Sequence, residues 1–176
     1  AKSSSAGGVS NRSPVPTYLW GCSASGKSHL LKAAREGLRE QGAHVGWMDA
    51  LTLEAPAYSD NWSAVMMDDV HLYTAAQQQM AFNWFVNAQT LQRPVLAAGE
   101  VAPVNLKLRD DLRTRLGWGH IFCLQPLSES ERRAVLRQAA DGTISRMVVS
   151  GRVLYGERIR DAVLRHLEKD LGPLAL

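Results

Sequence analysis

The sequence has little cysteine and no long hydrophobic run. Its 176 residues include two cysteines, Cys22 and Cys123, which is too few for a disulfide framework and is typical of a reducing compartment. No apolar stretch approaches the roughly 18 residues that cross a bilayer, because the apolar segment 65–70 is interrupted by two aspartates. We therefore expect a cytoplasmic protein without a membrane-spanning helix.

Neither disorder nor a strong charge of one sign is indicated by the composition. Hydrophobic residues make up 45% of the chain and charged residues 21%, which is typical of a globular protein. The net charge of +3 permits anionic partners, but no block of lysine and arginine occurs. Any contact with DNA is therefore expected to be weak or indirect.

Short apolar runs alternate with longer amphipathic stretches, as in βα units packed around a parallel sheet. The predicted strands are 18–20, 45–48, 64–67, 95–98 and 121–124, and the predicted helices are 27–40, 75–89 and 106–116. Ser128 followed by Glu131 is a capping-box pattern that predicts a helix to about residue 140. A last amphipathic helix is predicted over 158–170. We expect a flexible segment 1–13, an α/β core 14–126 and a small helical part 127–176.

A phosphate-binding loop is predicted between the first strand and the first helix. The segment matches G-x-x-x-x-G-K-[ST] at every fixed position and consists of Gly21, Cys22, Ser23, Ala24, Ser25, Gly26, Lys27 and Ser28. Glycine lets backbone N–H groups approach phosphate oxygens, and the helix that begins there adds its positive dipole end. The Lys27 ammonium can reach the β and γ phosphates, and the Ser28 hydroxyl can bind magnesium. His29 follows directly and is included in the nucleotide site.

Acidic side chains follow two of the buried strands. A magnesium ion held by phosphate and one hydroxyl needs a further carboxylate, which P-loop proteins take from the end of a neighbouring strand, and Asp68 fits this role. Asp69 is the candidate that polarises the attacking water. Glu100, after the fourth strand, is a candidate for contact with the γ phosphate or its water, and a loop carboxylate is the alternative. His71 follows the acidic strand and could approach the site, but an ordinary loop histidine is the favoured interpretation.

Three arginines, Arg109, Arg113 and Arg115, occur in one short segment. With the usual P-loop core geometry, an arginine there cannot reach the phosphates of its own chain, but it could reach those of a neighbouring subunit. Arg115 is therefore a candidate arginine finger acting in trans. The alternative is a solvated basic surface.

The segments RLGWG (115–119) and LQPLS (124–128) resemble the AAA+ domain of the bacterial replication initiator DnaA and, more closely, its regulatory relative Hda. The phosphate loop followed by His29-Leu30-Leu31, and the Asp68-Asp69 pair, agree in order and spacing. The resemblance covers about residues 16–140 and continues over 164–174, where the sequence is similar to a lid helix. There Lys169 matches the position of a nucleotide-sensing arginine.

The resemblance implies a P-loop AAA+ fold with a five-stranded parallel sheet of order 5-1-4-3-2 and a partial helical lid over 127–176. It also implies bound ATP or ADP with Mg²⁺, and a weak or partner-stimulated ATPase activity. In the Hda-type role, the chain would stimulate ATP hydrolysis on a DnaA-type AAA+ protein through Arg115 and so regulate replication initiation. A DNA sliding clamp would be a second partner, and a homodimer is a further option.

The sequence departs from the resembled pattern in three respects. Segment 1–16 lacks the short clamp-binding motif, the fourth strand lacks the usual polar threonine or aspartate, and segment 141–156 fits the lid poorly. No helix-turn-helix follows, which favours something other than a complete initiator. A helicase-loader-like ATPase and a truncated DnaA domain remain alternatives. A small-molecule kinase would need substrate-binding carboxylates and arginines in a lid, and these are not evident.

Overall fold

The computed structural model describes residues 14–126 together with Ser128 and Ser130. Within this part of the chain, there are five strands and three helices, and a helix follows the first, third and fourth strands. The strands are β1 Thr17–Trp20, β2 His44–Met48, β3 Trp62–Met67, β4 Val95–Gly99 and β5 His120–Cys123. The helices are α1 Lys27–Glu40, α2 Ala75–Thr90 and α3 Asp110–Leu116, and short 3₁₀ turns lie at Val70–Leu72 and Pro103–Asn105.

The strands form one sheet in the order β2-β3-β4-β1-β5, and every neighbouring pair is parallel. Read from the other edge, this is the predicted order 5-1-4-3-2, which is confirmed. The order reverses direction at β1, and in open parallel sheets ligands bind beyond the carboxyl ends of the strands at such a switch point. We therefore expect a ligand to bind at the segments that follow β1, β3 and β4.

Both faces of the sheet are covered, which explains why the central strands are apolar throughout. On β3, Val65 and Met67 point into a core shared with α2 and α3, whereas Ala64 and Met66 point into a second core shared with α1. All four side chains are fully buried. The two-residue period of a strand sends alternate residues to opposite faces, so each side chain has a packed partner layer.

Helix α1 packs on one face through Leu31, Ala34 and Leu38, whose spacing places them on one side of the helix. On the other face, Trp84 of α2 is fully buried and makes an edge-to-face contact with Trp62, with ring centroids 4.6 Å apart. These contacts hold the two helix layers against the sheet, so that the strand ends form a fixed frame.

The predicted helix 106–116 was wrong over residues 106–109. Only Asp110–Leu116 is α-helical, and it follows the 3₁₀ turn Pro103–Asn105. Leu106 and Leu108 are both buried although they are two residues apart, which is an extended rather than a helical spacing. The other predicted elements are confirmed with ends that shift by one or two residues. The predicted segment 1–13 and the helices over 128–140 and 158–170 lie outside the described residues, apart from Ser128 and Ser130.

Candidate nucleotide-binding site

The phosphate loop joins β1 to α1 and is shaped by its two glycines. A Cβ on Gly21 would lie 2.2 Å from the carbonyl oxygen of Leu124, so only glycine fits where the loop crosses the segment after β5. Gly26 has φ 95° and ψ 7°, a left-handed conformation that glycine adopts without strain. The loop geometry thus requires glycine at both fixed positions of the motif.

The amino end of α1 carries no competing cap. No side chain bonds to its first-turn N–H groups, and no acidic residue lies in the first turn. Helix α2 differs, because Thr74 and Gln77 form a complete capping box at its start. The uncapped N–H groups and positive dipole end of α1 are the features that bind an anion.

The side chain of Lys27 is buried and folded back over the loop. Its ammonium donates to the carbonyl oxygens of Gly21 and Cys22, each at 2.8 Å, and to the Ser25 hydroxyl at 3.3 Å. These bonds hold a positive charge at the centre of the loop. Gly21, Cys22 and Ser25 therefore act on the site through their bonds to the lysine.

The acidic pair lies where the sequence predicted it. Asp68 is buried at the end of β3, and its carboxylate accepts hydrogen bonds from the Ser28 hydroxyl and from the backbone N–H of Asp69. Burial raises the pKa of Asp68, and the bond from Ser28 opposes that rise. A hydroxyl and a carboxylate in contact are oxygen ligands of the kind that Mg²⁺ prefers, so Ser28 and Asp68 fit the predicted metal site.

Asp69 is held in an unusual conformation. Its φ of 51° and ψ of 38° lie in the left-handed region, which aspartate enters more readily than most residues. It begins the 3₁₀ turn Val70–Leu72, and the N–H of Leu72 bonds to its carbonyl oxygen at 2.9 Å. This turn directs the Asp69 side chain to the cleft beside the phosphate loop.

A cleft of about 630 Å³ lies beyond the carboxyl ends of the strands. It brings together loop and helix residues with residues from the ends of β3 and β4. Its lining residues are Ser23, Ala24, Gly26, Lys27, Ser28, His29, Asp69, His71, Leu72 and Glu100. Asp68 lies beneath the cleft, in contact with Ser28. Among the described residues, no cluster of three or more His, Cys, Asp or Glu side chains could hold a metal ion without other ligands.

Glu100 reaches the cleft because of its neighbours in sequence. A Cβ on Gly99 would lie 2.2 Å from the hydroxyl of Tyr18, so glycine allows the tyrosine to pass the end of β4. The tyrosine hydroxyl donates to the carbonyl of Val101 at 2.9 Å. Burial raises the pKa of Tyr18, which keeps this donor protonated. The backbone on both sides of Glu100 is thereby fixed.

His71 lines the cleft, which was the less favoured of the two interpretations of this residue. Its Nε2 lies 3.5 Å from Oε2 of Glu100, and its Nδ1 is buried without a hydrogen-bond partner in the described part of the chain. Leu72 also lines the cleft and was not considered from the sequence. The available signal was position, because both residues directly follow an acidic strand end that was assigned to the site.

Arg115 is not among the residues that line this cleft. It lies near the end of α3, with its guanidinium carbon 5.2 Å from the ring centroid of Phe82. Lys169 lies outside the described residues, as does the rest of the predicted lid. The described residues also contain no helix that is long and apolar enough to cross a membrane.

Comparisons with known proteins agree with the observed fold. The chain is 30% identical over 139 residues to chromosomal replication initiator protein DnaA 2 of Protochlamydia amoebophila, a match that covers 69% of this chain and 31% of that protein. Domain III of the Thermotoga maritima DnaA has a TM-score of 0.60 at 16% identity, covering 90% of this chain and 85% of that one. AMPPCP-bound DnaA from Aquifex aeolicus has a TM-score of 0.58 at 18% identity, covering 93% and 57%.

A family model described as a domain of unknown function (DUF4916) matches residues 130–176, nearly all outside the described part of the chain. The similarity to the DnaA proteins shows that the fold of the core is the AAA+ fold of DnaA. The chain spans about a third of the length of the curated relative that it matches.

Proposed function

We propose that this DnaA-related AAA+ chain binds ATP or ADP with Mg²⁺ in the cleft and regulates replication initiation by promoting ATP hydrolysis on a DnaA-type protein. The observation that carries the proposal is the hydrogen bond between Ser28 and Asp68. It joins the phosphate loop to the acidic strand end, so the two halves of a nucleotide site meet. The AMPPCP named for the Aquifex aeolicus DnaA supports an adenine nucleotide.

The roles of the chain's own residues follow from their positions. The N–H groups at the start of α1 and the Lys27 ammonium would bind the phosphates. Ser28 and Asp68 would hold the metal, which when bound neutralises phosphate charge. Asp69, and Glu100 with His71 beside it, would orient water at the end of the phosphate chain. Since aspartate is shorter than the glutamate usual at the position of Asp69, we propose that intrinsic hydrolysis is slow.

Arg115 is the proposed finger because it lies away from the cleft of its own chain. A guanidinium that reaches the nucleotide of a neighbouring subunit would stabilise the charge that develops on the transferred phosphoryl group, an effect worth about 10³–10⁵ in rate where such fingers are known. The hydrolysing site is then that of the DnaA-type partner. Lys169 as a nucleotide contact, recruitment by a sliding clamp and homodimer formation extend the same proposal.

Binding is tested by titration calorimetry of the full chain with ADP and with ATP, in the presence of Mg²⁺ or EDTA. We expect saturable binding that Lys27→Ala weakens at least tenfold. Lys107→Ala is the matched control, because Lys107 is an exposed lysine that does not line the cleft. Equal affinities for the wild type and Lys27→Ala would refute the site.

The regulatory role is tested with an ATP-loaded DnaA-type protein, a sliding clamp and DNA. The wild-type chain should accelerate the conversion of ATP to ADP on that partner, and Arg115→Ala should lose most of the acceleration. Arg113→Ala is the control from the same helix. If neither the wild type nor Arg115→Ala changed ATP turnover by the partner, the regulatory proposal would fail while nucleotide binding could still hold.

A further inference from the structure

The three arginines around α3 are held in different ways. Arg109 forms two hydrogen bonds with the carboxylate of Asp111, at 2.8 and 2.6 Å, and a further bond with Gln79. Arg113 pairs with Asp110 at 2.7 Å. Arg115 has no hydrogen bond or ion pair with any side chain in the described part of the structure. Of the three, Arg115 is therefore the arginine with all of its N–H donors available for an external anion, whereas Arg113 commits one nitrogen to the exposed Asp110.

Aromatic rings hold Arg115 instead. Its guanidinium carbon lies over the ring of Phe82 at 5.2 Å and 5.9 Å from the ring centroid of Phe85, both on α2. These distances are within the range of a cation–π interaction. A cation–π contact restrains the side chain through attraction to the ring and needs no hydrogen-bond acceptor. The N–H donors of Arg115 therefore remain for a phosphate.

The same ring contacts a second guanidinium. Arg109 also lies over Phe82, with its carbon 5.2 Å from the centroid. Because Arg109 is fixed by Asp111 and Gln79, it supports the ring against which Arg115 rests. Phe85, the second ring, is fully buried between the helices and the sheet, so it is an immobile part of the platform.

We propose that Phe82 is a positioning residue for Arg115: its half-buried ring holds the guanidinium in one orientation, with the donors directed outward for the phosphates of a second nucleotide-bearing subunit. The inference rests on the proposed function for its biological use. A long arginine side chain loses rotational freedom when it binds, and restraint before binding reduces that loss. Phe82 should therefore affect the rate at which the partner hydrolyses ATP, with little effect on how tightly the partner binds.

The contact between the Arg115 guanidinium and the Phe82 ring is tested by NMR on the full chain. The Arg115 Nε–Hε resonance, assigned by its disappearance in Arg115→Lys, should be displaced by the ring current of Phe82. Phe82→Leu should move it toward the value for a free arginine, and Phe82→Tyr should leave it in place because the ring face remains. An unchanged resonance in Phe82→Leu would overturn the inference without any reference to activity.

The positioning role is tested by the rate of ATP hydrolysis on a DnaA-type partner, measured over a range of concentrations of this chain. Phe82→Leu should lower the maximal rate roughly tenfold to a hundredfold, the loss expected from a misplaced catalytic group, with the half-saturating concentration unchanged. Phe82→Tyr should have the maximal rate of the wild type, because it keeps the ring. A melting temperature recorded for each variant identifies any loss that comes from unfolding.

The two proposals fail in different ways. If Arg115→Ala lowers the rate and Phe82→Leu, folded, equals the wild type, the positioning role is overturned and the arginine finger stands. If Phe82→Leu raises the half-saturating concentration and leaves the maximal rate intact, Phe82 is a docking residue and the inference is again wrong. If Arg115→Ala equals the wild type, the proposed function fails, and with it the role of Phe82 in that reaction.

Discussion

At the scale of single residues, the site contains a carboxylate whose charge is unfavourable for the fold alone. Burial raises the pKa of Asp68 above its ordinary value, although the Ser28 hydroxyl and the Asp69 N–H both donate to it. Between the ordinary and the raised pKa the folded state binds more protons than the unfolded state, so stability falls as the pH rises through this window. Above this window the ionised carboxylate lowers the stability of the fold, and a cation bound beside it would offset that loss.

Replacing Asp68 with asparagine should consequently stabilise the nucleotide-free chain. Asp68→Asn removes the buried charge and keeps an acceptor oxygen, so we expect a melting temperature a few degrees above that of the wild type at pH 7. The same change should abolish the gain in ATP affinity that Mg²⁺ provides. Differential scanning calorimetry and titrations with and without EDTA measure the two effects.

Asp69→Asn is the matched control, because asparagine also tolerates the left-handed conformation of that residue. It should retain the Mg²⁺ dependence of binding. A melting temperature of Asp68→Asn below that of the wild type would show that its charge is already compensated in the fold.

The sequence predicted the residues with fixed motif chemistry and missed those whose role depends on neighbours. Gly21, Lys27, Ser28 and Asp68 lie together as expected, since each is required at a set place relative to a strand end. The position of His71 could not be decided from the sequence, because its proximity to Glu100 arises from the meeting of β3 and β4, which its local sequence does not reveal.

At the scale of elements, helix α2 carries the ring of Phe82 that contacts Arg115, and it begins at a capping box. Its capping box is complete, since the Thr74 hydroxyl accepts from the N–H of Gln77 and the Gln77 side chain accepts from the N–H of Thr74. Thr74→Ala should lower the free energy of unfolding by about 1 kcal/mol, and Thr74→Ser should be close to the wild type. Urea titrations of the three proteins measure this. Equal midpoints for Thr74→Ala and the wild type would mean that the cap adds nothing.

The loop after β2 is hydrogen-bonded to α2 through the side chain of Gln77. It contains a carboxylate, Asp49, whose lowered pKa makes the stability of the chain depend on pH in acid. Partial burial acts to raise the pKa of Asp49, but hydrogen bonds from the Trp47 indole, the Thr52 hydroxyl and the Leu51 N–H outweigh it and lower the pKa. The folded state thus favours the carboxylate. Its contribution to stability is present above the ordinary pKa of 3.8 and is lost as the pH falls through the lowered value.

We expect Asp49→Asn to lower stability at pH 7 and to have a smaller effect as the pH falls through the lowered pKa of the wild-type carboxylate. Chemical unfolding of both proteins at pH 7, 5 and 3 measures the convergence. Asp60→Asn is a suitable control, because Asp60 is an exposed carboxylate of the same connection. A difference between Asp49→Asn and wild type that stayed constant with pH would exclude an electrostatic cause.

The differences between predicted and observed helix ends show where sequence periodicity is a weak predictor of structure. Helix α1 was predicted to its last residue because a stripe of buried residues and a following glycine mark it. The predicted helix 106–116 failed because Leu108, Leu112 and Leu116 keep a helical spacing although α3 begins only at Asp110. Burial of Leu106 and Leu108 is decided by packing against α2 and the sheet, a tertiary contact that local spacing does not encode.

At the scale of the whole molecule, strand order was predictable through the resemblance to a known fold, and alternation alone gave the α/β class. Two apolar cores, one on each face of the sheet, hold β1, β3 and β4 in register, so that their carboxyl ends present the phosphate loop, Asp69 and Glu100 to one cleft. A ligand that binds this cleft bridges segments far apart in the sequence. Its binding energy must therefore add to the stability of the entire core.

This coupling predicts a large thermal shift on nucleotide binding. At a hundred times the dissociation constant, a ligand specific for the folded state adds about 2.7 kcal/mol, which for a domain of this size raises the melting temperature by roughly 5–10 °C. We expect this shift for ATP or ADP with Mg²⁺ and a much smaller one for AMP, which lacks the phosphates that α1 and Lys27 would bind. Lys27→Ala should lose the shift, and Lys107→Ala should keep it. A similar shift for AMP and ADP would mean that the nucleotide is recognised through its base and sugar, and that the uncapped start of α1 does not bind phosphate.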